Sequence, residues 1–458
     1  METKYIKDLT ELSEIDDSDL LVVEDMSDSG DVGTRKITKA NLLKSVTDSV
    51  SDLSKAITNE TTRAKGVESD IQSQVDELKE TVDRHVFGFR RYNTSSDTST
   101  RIEYIEEANG YKPFTYDFSN NVADEGDWSD FISTICRPVM LYKGGGVAYE
   151  LDRNNTTLKA DGTASDISNT SFDGNAMVEF SEYKWVQRYT IGEYDYVSFA
   201  NYQKNDTFKN YAFIGEDGTL KDHFYFSMFE GYYDNTCMRS IADVSPMTDA
   251  TAPTEVSRAK ANGDNWNIGA WSQLNYIWDL LTMIGKSDNL QATFGQGVSD
   301  VSAKVNTGGS KSYGAWYGAS SGDKNVRTLY IEDLWGNIWD RYNGLVNDNG
   351  TIKVRMTPPY PTPTDSSPTY SDYVSVGTTP SEGYVKSALC NEYGFIPTAT
   401  GGSATTYYCD YFYKNDSGVK FLRVGGYWSL GAKCGRYCHV SSASSISYSY
   451  LGSRLLKI

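Results

Sequence analysis

Residues 42–82 read LLKSVTDSVSDLSKAITNETTRAKGVESDIQSQVDELKETV, and this stretch decides the N-terminal architecture. Apolar or small side chains recur in it at alternating steps of three and four residues, except at Glu60, and an extra four-residue step precedes Val75. Such a pattern predicts a coiled-coil seam with one stutter. The seam positions are Leu43, Val46, Val50, Leu53, Ile57, Ala64, Val67, Ile71, Val75, Leu78 and Val82.

The predicted helix is long, free of proline, and poorly suited to lying on its own domain. Residues 43–82 would span roughly 60 Å as an α-helix, and Thr38 is placed to cap its N-terminus. Its apolar stripe is narrow and is flanked by Ser, Thr, Asp, Lys and Gln, whereas a helix that packs on its own domain carries a broader stripe. We therefore predict a stalk that packs against copies of itself. The β-branched seam residues do not by themselves decide between dimer and trimer.

The segment before the stalk is acidic and carries two short strand patterns. Residues 1–33 hold 11 Asp or Glu and 2 Lys, which is a net charge of −9. The apolar run Leu20–Val23 and the segment Thr34–Thr38, separated by a turn rich in Ser, Asp and Gly, predict a hairpin. Because a piece of this size cannot bury enough surface alone, the hairpin needs an oligomer or a larger body to dock on.

Residues 87–458 have the composition of a loop-rich α+β or all-β body. They are rich in Gly, Tyr, Trp, Ser and Asn, and turn signals interrupt the short apolar runs. Trp271–Ile284 has helical spacing of its apolar residues, and Gly285 is predicted to cap that helix. Six of the 11 prolines lie between residues 358 and 380, which predicts a long exposed loop.

Charge and hydropathy exclude several classes of partner. The 43 Lys and Arg against 62 Asp and Glu give a net charge of −19 without a local basic cluster, so a nucleic-acid backbone would be repelled. No window approaches roughly 18 consecutive apolar residues, which argues against membrane insertion, and the acidic start lacks the pattern of a signal peptide. We therefore expect a chain that is made in a cytoplasm and is not exported by the usual route.

The six cysteines suggest neither a disulfide scaffold nor a zinc ribbon. They are sparse over 458 residues and form no CxxC pair, which predicts mostly reduced thiols. Cys434 and Cys438 lie four residues apart with His439 beside them, but no second ligand pair at matching spacing accompanies them. We expect two small side chains in a packed loop, with no metal site and no cofactor.

Three stretches toward the C-terminus resemble a known fold family. They are YIEDLWGNIWDRYNGL (330–345), FLRVGGYWSLGAKCGRY (421–437) and YLGSRLLKI (450–458). In this order and spacing they resemble the ending of C-type-lectin-fold proteins related to the formylglycine-generating enzyme. The branch they look most like comprises phage receptor-binding proteins and the variable proteins of diversity-generating retroelements, the group of the phage major tropism determinant. Upstream, RPVMLYKGGGVAYELD and LLTMIGKSDNLQATFGQG are similar to tail-fibre proteins of gut phages, so the resemblance covers residues 128–458.

Two N-terminal pieces, DSDLLVVED and TRKITKANLLKSV, are similar to the virion-docking starts of phage fibre proteins. The fold class implied is α+β, with an N-terminal hairpin and coiled-coil stalk followed by a loop-rich C-type-lectin-like domain in a homotrimeric fibre. The domains implied are a virion-docking hairpin at 1–40, a coiled-coil stalk at 41–86, a linker or neck at 87–127 and a receptor-binding domain at 128–458.

The resemblance also separates scaffold residues from ligand-contacting ones. The scaffold implied comprises Trp335, Trp339, Gly425, Gly426, Trp428 and a strand at Gly452–Leu455. Ligands in the family meet side chains on the last strands and loops, which here lie between Tyr407 and Ser449. Residues 403–453 hold 8 Tyr and 10 Ser, which resembles the usage of antibody paratopes, although Tyr-rich strands also simply pack.

Within TYYCDYFYK (406–414), a strand would place Tyr407, Cys409, Tyr411 and Tyr413 on one face. The sequence does not tell which face of that strand is exposed. Further contacts are predicted beside the glycine pair in GGYWSLGAKCG. The predicted ligand-binding residues are Tyr407, Tyr411, Tyr413, Tyr427, Ser429, Leu430 and Lys433.

These features predict a phage virion protein, a tail fibre that attaches the particle to a bacterial surface receptor, either a protein or a glycan. Other virion structural proteins would hold residues 1–40, and the fibre would be assembled in the host bacterial cytoplasm. The alternative is a capsid-attached decoration fibre with a general adhesive role. We expect no enzyme and no catalytic residue. A polysaccharide depolymerase needs two carboxylates across a sugar-sized cleft, and no spacing singles out a pair among Asp323, Glu332, Asp333 and Asp340.

Calcium is expected to be dispensable for binding. The Glu-Pro-Asn or Gln-Pro-Asp triplet of calcium-dependent sugar-binding lectins is absent from the chain, and the acidic loop LVNDNG (345–350) lacks a longer series of oxygen ligands.

Overall fold

The chain divides between Asp83 and Arg84 into a helical N-terminal unit and a larger unit that is mostly β. The computed structural model describes residues 20–24 and 34–458, and for 20–24, 34–37 and 77–82 it describes the backbone alone. The mixture of helix and sheet confirms the α+β class. Among these described residues, no helix is both long and apolar enough to cross a bilayer.

The predicted hairpin is present in the N-terminal unit. Strand β1 (Leu20–Glu24) pairs antiparallel with strand β2 (Thr34–Thr38), and Leu20 lies opposite Thr38. Residues 1–19 and 25–33 of the segment predicted to dock on a virion lie outside the described residues. The docking role of residues 1–40 stays a prediction.

Helix α1 (Lys39–Val82) follows β2 directly, where the seam pattern predicted a helix. Thr38 caps it, because its hydroxyl accepts a hydrogen bond from the Asn41 backbone N–H at 3.3 Å. Along α1, large apolar side chains that are 37% to 62% exposed form what we call the apolar stripe. The apolar stripe comprises Leu43, Val46, Val50, Leu53, Ile57, Val67, Ile71 and Val75. Its packing against other copies stays a prediction, and the side chains of Leu78 and Val82 lie outside the described part.

A four-stranded antiparallel sheet in the order β10–β11–β3–β4 opens the second unit. Its strands are β3 (Val86–Tyr92), β4 (Ile102–Glu106), β10 (Trp185–Ile191) and β11 (Tyr194–Ala200). Phe87 and Phe89 of β3 enter the main hydrophobic core. The prediction that residues 87–127 form a linker or neck is therefore wrong. The reason is that β3 pairs with β11, far along the chain, and no local pattern reveals such a partner.

A six-stranded antiparallel sheet has the order β15–β27–β12–β9–β7–β8. Its strands are β7 (Cys136–Tyr142), β8 (Val147–Glu150), β9 (Gly174–Phe180), β12 (Phe224–Ser227), β15 (Trp266–Ile268) and β27 (Leu455–Lys457). The last strand of the chain, β27, lies between β15 and β12. The C-terminal residues are therefore held inside a sheet rather than at its edge.

The largest sheet has nine strands in the order β20–β19–β18–β24–β25–β23–β21–β22, with β26 parallel to β18. Its strands are β18 (Trp339–Asp348), β19 (Thr351–Val354), β20 (Val374–Thr378), β21 (Gly383–Asn391), β22 (Gly394–Thr400), β23 (Tyr411–Phe412), β24 (Val419–Gly425), β25 (Gly435–Ser442) and β26 (Leu451–Gly452). This sheet carries most of the predicted ligand-binding residues or the turns that hold them.

Short elements complete the second unit. The two-stranded pairs are β5 (Thr115–Asp117) with β6 (Val122–Asp124), β13 (Tyr232–Tyr233) with β14 (Met238–Arg239), and β16 (Arg327–Thr328) with β17 (Ile331–Glu332). The helices are α2 (Ser129–Ile135), α3 (Ala252–Lys260), α4 (Trp271–Gly285) and α5 (Leu290–Phe294), and 3₁₀ turns lie at Tyr211–Phe213, Ser367–Tyr370 and Gly431–Lys433.

The predicted proline-rich loop is more ordered than expected. Residues 358–380 include a 3₁₀ turn and strand β20, and Tyr360, Tyr370 and Tyr373 within the segment are buried. The prediction of one long exposed loop is therefore wrong, because tyrosines between the prolines anchor the segment in the core.

Helix α4 confirms the helix predicted over Trp271–Ile284, but it ends differently. Lys286, and not glycine, takes the left-handed cap conformation, with φ of 49°. Gly285 is the last helical residue, and a Cβ there would lie 2.9 Å from side-chain carbons of Thr293 and Phe294. The glycine therefore serves close packing against α5.

A buried ion-pair network fastens α4 to the largest sheet. Asp279 of α4 is fully buried and accepts hydrogen bonds from Arg188 at 2.5 Å and from Arg436 of β25. Burial alone would raise the pKa of Asp279, but the two guanidinium groups hold it below its ordinary value. The start of β25, and with it the turn that precedes β25, is thereby fixed to the core.

The closing residues form two strands and not the single strand predicted at Gly452–Leu455. Strand β26 ends at Gly452 and β27 begins at Leu455, so that the intervening residues change sheets. Arg454 is buried at this crossing, and its Nε donates to Asp340 of β18 at 2.6 Å. The chain end thus joins the six-stranded and nine-stranded sheets.

Candidate functional site

Six aromatic side chains near the C-terminus lie in two groups around one buried tryptophan, and together we call them the aromatic patch. It comprises Tyr411, Tyr413, Tyr427, Trp428, Tyr448 and Tyr450. They come from three segments, namely β23 with the residues after it, the turn between β24 and β25, and the turn between β25 and β26. Tyr448 is 37% exposed, and the other five rings are half-buried.

Ring contacts join the three segments. The Tyr427 centroid lies 5.2 Å from that of Trp428 and 4.7 Å from that of Tyr450. Tyr450 in turn stacks on Tyr448 at 5.0 Å. Tyr411 and Tyr413 form a second group, with 4.6 Å between their centroids.

Buried Trp339 of β18 links the two groups from beneath. Its ring centroid lies 6.3 Å from Tyr413 and 6.3 Å from Tyr427. Trp339 is 2% exposed and packs with Cys438 and Leu451, which are fully buried. Trp335 is also buried, so Trp335 and Trp339 both lie in the core, as predicted for scaffold residues. The exposed rings therefore rest on a rigid backing.

Two consecutive glycines turn the chain from β24 into the patch. Gly425 and Gly426 have φ of 95° and 89°, a region that favours glycine. A Cβ at Gly426 would lie 2.5 Å from Cys434 Sγ, so no larger residue fits there. The prediction that Trp428 lies in the core is wrong. It is half-buried, because β24 ends at Gly425 and Trp428 lies on the turn beyond.

Two cations accompany the rings. Lys433 Nζ lies 4.5 Å from the Tyr411 centroid and 5.5 Å from the Tyr413 centroid. The Arg423 guanidinium lies 5.6 Å from Tyr448 and 5.7 Å from Tyr450. Both are cation–π distances. Two cationic side chains thus lie against the rings of the patch, in a chain whose net charge is −19.

Three phenols of the patch, those of Tyr411, Tyr413 and Tyr450, stay protonated at physiological pH. Burial raises the pKa of Tyr411, Tyr413 and Tyr450 above the ordinary value of 10. A neutral phenol both donates and accepts hydrogen bonds, as the Tyr411 hydroxyl does in donating to Glu382 at 3.3 Å. The patch therefore offers apolar ring area together with neutral hydrogen-bonding groups.

The structure brings together five of the seven predicted ligand-binding residues. Tyr411, Tyr413 and Tyr427 are members of the aromatic patch, Leu430 packs against its backing, and Lys433 lies over its rings. Ser429 is exposed in the same turn as Tyr427. Sequence reasoning did not predict Trp428, Tyr448 or Tyr450 as ligand-binding residues, although the alternation in SYSY (447–450) is a signal that could have indicated the last two.

Tyr407 lies apart from the aromatic patch. Its nearest cation is Lys386 of β21, whose Nζ lies 5.6 Å from the Tyr407 centroid. The predicted regular alternation from 407 to 414 fails, because Tyr407 and Cys409 have φ of 58° and 64° and only Tyr411–Phe412 forms a strand. From Tyr411 onward the alternation holds, since Phe412 is buried and its two tyrosine neighbours are half-buried.

The cysteine and histidine side chains behind the patch are buried and uncharged. Burial raises the pKa of the Cys434 and Cys438 thiols above their ordinary value and lowers that of His439 to about 3. Cys434 Sγ donates to the Tyr427 carbonyl oxygen at 3.5 Å. In the described part of the chain, no group of three or more His, Cys, Asp or Glu side chains is arranged to hold a metal ion.

Three of the four carboxylates considered for glycan cleavage serve the scaffold. Glu332 accepts hydrogen bonds from the Gly308 and Ser310 backbone N–H groups at 2.6 and 2.9 Å. Asp333 accepts from the Asn325 amide at 2.6 Å, and Asp340 accepts from Arg454. All three are buried, whereas Asp323 is exposed.

Comparisons with known proteins give distant matches. No protein-family model matches the chain, and no curated protein matches it. Treponema denticola variable protein 1 is similar in backbone, with 8% identity and a TM-score of 0.28 over 63% of this chain and 97% of that chain. The Major Tropism Determinant U1 variant matches with 11% identity and a TM-score of 0.26, and the P3c variant with 10% and 0.25, each over 71% of this chain and 72% of that chain. At such identities no binding residue is transferred from those proteins to this chain.

Proposed function

We propose that this chain is an adhesive phage fibre protein whose aromatic patch binds a receptor on the bacterial surface, either a protein or a glycan. One observation carries the proposal: aromatic rings from three separate segments converge on one surface over the buried Trp339, and two cations lie among them. Rigid aromatic side chains provide large contact area at a low cost in side-chain entropy. Binding energy in protein interfaces concentrates on such anchors.

The proposed assembly is a homotrimer held by a coiled coil, as in the fibres that the sequence resembles. The support is the apolar stripe, whose side chains follow the seam spacing and are more than a third exposed in the single chain. An isolated helix rich in Ser and Thr gains stability when such a stripe is buried against copies. Residues 1–40 are proposed to hold the fibre in the virion.

The proposed activity is binding without catalysis, metal or cofactor. The patch presents rings, phenol hydroxyls and two cations, which are contact groups and not a pair of carboxylates across a cleft. Saturable binding of the full chain to susceptible cells, without release of soluble glycan fragments, is the expected result. Steady release of fragments from purified envelope would contradict the proposal and favour a depolymerase.

The decisive variant changes an aromatic, an aliphatic and a cationic residue of this surface together. We expect Tyr427→Ser, Leu430→Ala and Lys433→Ala, combined in the full chain, to reduce cell adsorption by about a hundredfold or more, because anchors in one patch act jointly. The unfolding transition is expected to stay cooperative and to shift less than in a core variant such as Trp339→Ala, because none of the three side chains is fully buried.

A matched control lies on the four-stranded sheet, where Arg90 lies over Tyr194 at 4.6 Å and Ile191 is 63% exposed. The combination Tyr194→Ser, Ile191→Ala and Arg90→Ala removes the same three kinds of side chain from another surface. We expect this control to adsorb like the wild type. Normal adsorption by the patch variant, or equal loss in the control, would place the receptor site elsewhere.

A further inference from the structure

A second concave site lies away from the aromatic patch, around Tyr407. A cavity of about 370 Å³ opens between the loop after β3, the middle of β21 and the turn that precedes β23. Asn93 and Thr94 line it from the first segment, Lys386 and Ser387 from the second, and Tyr407 and Tyr408 from the third. Its volume is within the range of about 300 to 1,000 Å³ that is usual for small-molecule sites.

The backbone around this cavity departs from regular geometry on two sides. Strand β21 shifts register against β22 both before and after Ser387, so that a bulge lies at the cavity wall. Tyr407 has φ of 58°, which is uncommon for a residue with a side chain. Bulges and left-handed residues are frequent where a sheet presents side chains to a ligand.

Unsatisfied polar atoms lie behind the cavity. Tyr408 is 0% exposed, and among the described residues its hydroxyl has no hydrogen-bond partner. The guanidinium groups of Arg101 and Arg91 lie 4.5 and 5.2 Å from its ring centroid. Arg101 is 0% exposed too, and its Nε, Nη1 and Nη2 make no hydrogen bond within the described chain. Buried polar groups are normally satisfied, so the wall behind the cavity is polar and carries unsatisfied groups.

Lys386 is the cation of the site, and two carboxylates lie beside its lining residues, because Glu193 accepts from Thr94 at 3.5 Å and Asp195 accepts from Asn93 at 3.3 Å. The buried cluster behind Tyr408 is balanced, because Arg91 and Arg101 lie within ion-pair distance of Asp288, and Arg91 also lies 3.7 Å from Asp195. Lys386 is exposed at the cavity mouth and is the only charged residue among those that line it. Its ammonium lies over the Tyr407 ring, and no carboxylate of the described residues lies within ion-pair distance of it. The site thus pairs one free cation with hydroxyl, amide and phenol groups.

We propose that this cavity binds one acidic sugar unit, with the carboxylate of the sugar on Lys386 and its hydroxyls on Ser387 and Asn93. A charge-assisted hydrogen bond from Lys386 selects the carboxylate, and neutral donors and acceptors match sugar hydroxyls. The flat Tyr407 ring offers an apolar face for the ring of the sugar. This site is independent of the aromatic patch, so its failure would leave the proposed adhesion through the patch untouched.

Three probes of similar size test the chemistry with the full chain. They are glucuronate, glucose, which lacks the carboxylate, and cyclohexanecarboxylate, which lacks the hydroxyls. Saturation-transfer NMR and calorimetric titration are expected to show glucuronate binding about tenfold or more tightly than either of the others, since each lacks one set of polar contacts. Absence of glucuronate binding, or equal binding of any two probes, would overturn the proposal.

Two variants and one control locate the binding. We expect Lys386→Gln to weaken glucuronate binding about tenfold and to leave the weak binding of glucose unchanged, because only the carboxylate contacts the ammonium. Ser387→Ala removes a half-buried hydroxyl that lines the cavity, and we expect it to weaken the binding of glucuronate and of glucose alike.

The control is Lys159→Gln, because Lys159 Nζ also lies over a tyrosine ring, 4.5 Å from the Tyr149 centroid, but does not line this cavity. It should bind glucuronate like the wild type. Unchanged affinity in both Lys386→Gln and Ser387→Ala would overturn the assignment. Since Lys386 is exposed, its variant decides the matter even where Ser387→Ala folds poorly.

Discussion

The apolar stripe of α1 and the aromatic patch both present apolar side chains at the surface. They differ in the type of side chain, in its exposure and in the polar groups beside it. Stripe residues are aliphatic, project from a single helix and are 37% to 62% exposed. Patch rings are mostly half-buried, touch one another, carry hydroxyls and lie beside Lys433 and Arg423.

The difference separates two kinds of association. An aliphatic stripe gains free energy only by excluding water, and as a regular repeat it suits permanent packing against copies of itself. Aromatic rings with polar groups tolerate water and also contact a partner through several chemistries, which suits a surface that must stay uncovered until it meets a receptor. We therefore assign self-association to the stripe and recognition to the patch, and each prediction below tests that division.

The largest expected effect is loss of the oligomer. We expect Val50→Asp with Leu53→Asp in the full chain to convert the assembly to monomers, because burying two carboxylates per chain in a shared apolar seam costs several kcal/mol. Sedimentation velocity measures the mass directly. As a control, Ser51→Asp with Thr58→Asp adds the same charge outside the stripe and should keep the assembled mass. A monomeric wild type would contradict the role of the stripe. So would a Val50→Asp, Leu53→Asp variant that stays assembled like the control.

The second largest effect concerns Trp339, which lies buried beneath the rings of the patch. We expect Trp339→Ala to lower the free energy of unfolding by about 3–5 kcal/mol, because its ring is 2% exposed and its removal leaves a cavity. Trp428→Ala should cost about 1–2 kcal/mol, because Trp428 is half-buried. Denaturant titrations of both variants check the ranking. Equal losses of unfolding free energy in the two variants would contradict the role of Trp339 as the buried support of the patch rings.

A smaller effect is the pH dependence of the unfolding free energy that arises from His439, which is buried near the patch. Helix α1 contains no histidine, so this effect belongs to the second unit alone. Burial lowers the pKa of His439 to about 3, so between that pH and 6.5 the unfolded chain binds a proton that the folded chain does not. Protonation of His439 in the unfolded chain therefore favours unfolding below pH 6.5. The contribution of this histidine to the free energy of unfolding is highest above pH 6.5 and decreases as the pH falls toward 3. We expect the unfolding free energy of the wild type, relative to His439→Leu, to drop by about 2 kcal/mol from pH 6.5 to pH 5. A difference that does not change with pH would show that His439 is protonated in the folded state.

The smallest effect tests the cation over the patch rings. We expect Lys433→Gln to weaken cell binding about two- to fivefold, because one ionic contact of a surface cation with a partner contributes about 0.5–1 kcal/mol. Adsorption assays of Lys433→Gln beside Lys159→Gln, which removes a similar contact outside the patch, measure it. Equal binding by the two variants would remove Lys433 from the recognition surface.

The local patterns of the sequence predicted the local structure well. The seam spacing identified α1 and its cap at Thr38, and helical periodicity identified α4. Both patterns depend on neighbours within one or two turns of the chain. The linker predicted at 87–127 failed because the pairing of β3 with β11 is non-local, and a strand of this kind carries no signature of its distant partner.

The candidate site was predicted in part. Tyr411 and Tyr413 were predicted from their Tyr-rich strand, and Tyr427 and Lys433 from their position beside the glycine pair. In the structure these side chains lie around Trp339 and over the tyrosine rings. Trp428 was assigned to the core because tryptophans near glycine pairs usually pack, yet the left-handed glycines before it end the strand and place it on a turn. Tyr407 was grouped with the others by alternation, which two left-handed residues interrupt. Left-handed backbone conformations in residues other than glycine cannot be predicted from a single sequence.

Footprinting of the full chain with hydroxyl radicals, free and then bound to envelope purified from susceptible bacteria, tests the division most directly. We predict that stripe residues such as Val50 and Leu53 are already protected in the free protein, and that Tyr427, Tyr448 and Tyr450 become protected only when envelope is added. Tyr194 on the four-stranded sheet should react equally in both states. Unchanged labelling of the patch on binding, or protection that appears at Tyr194 instead, would contradict the claim that the aromatic patch is the receptor-binding surface.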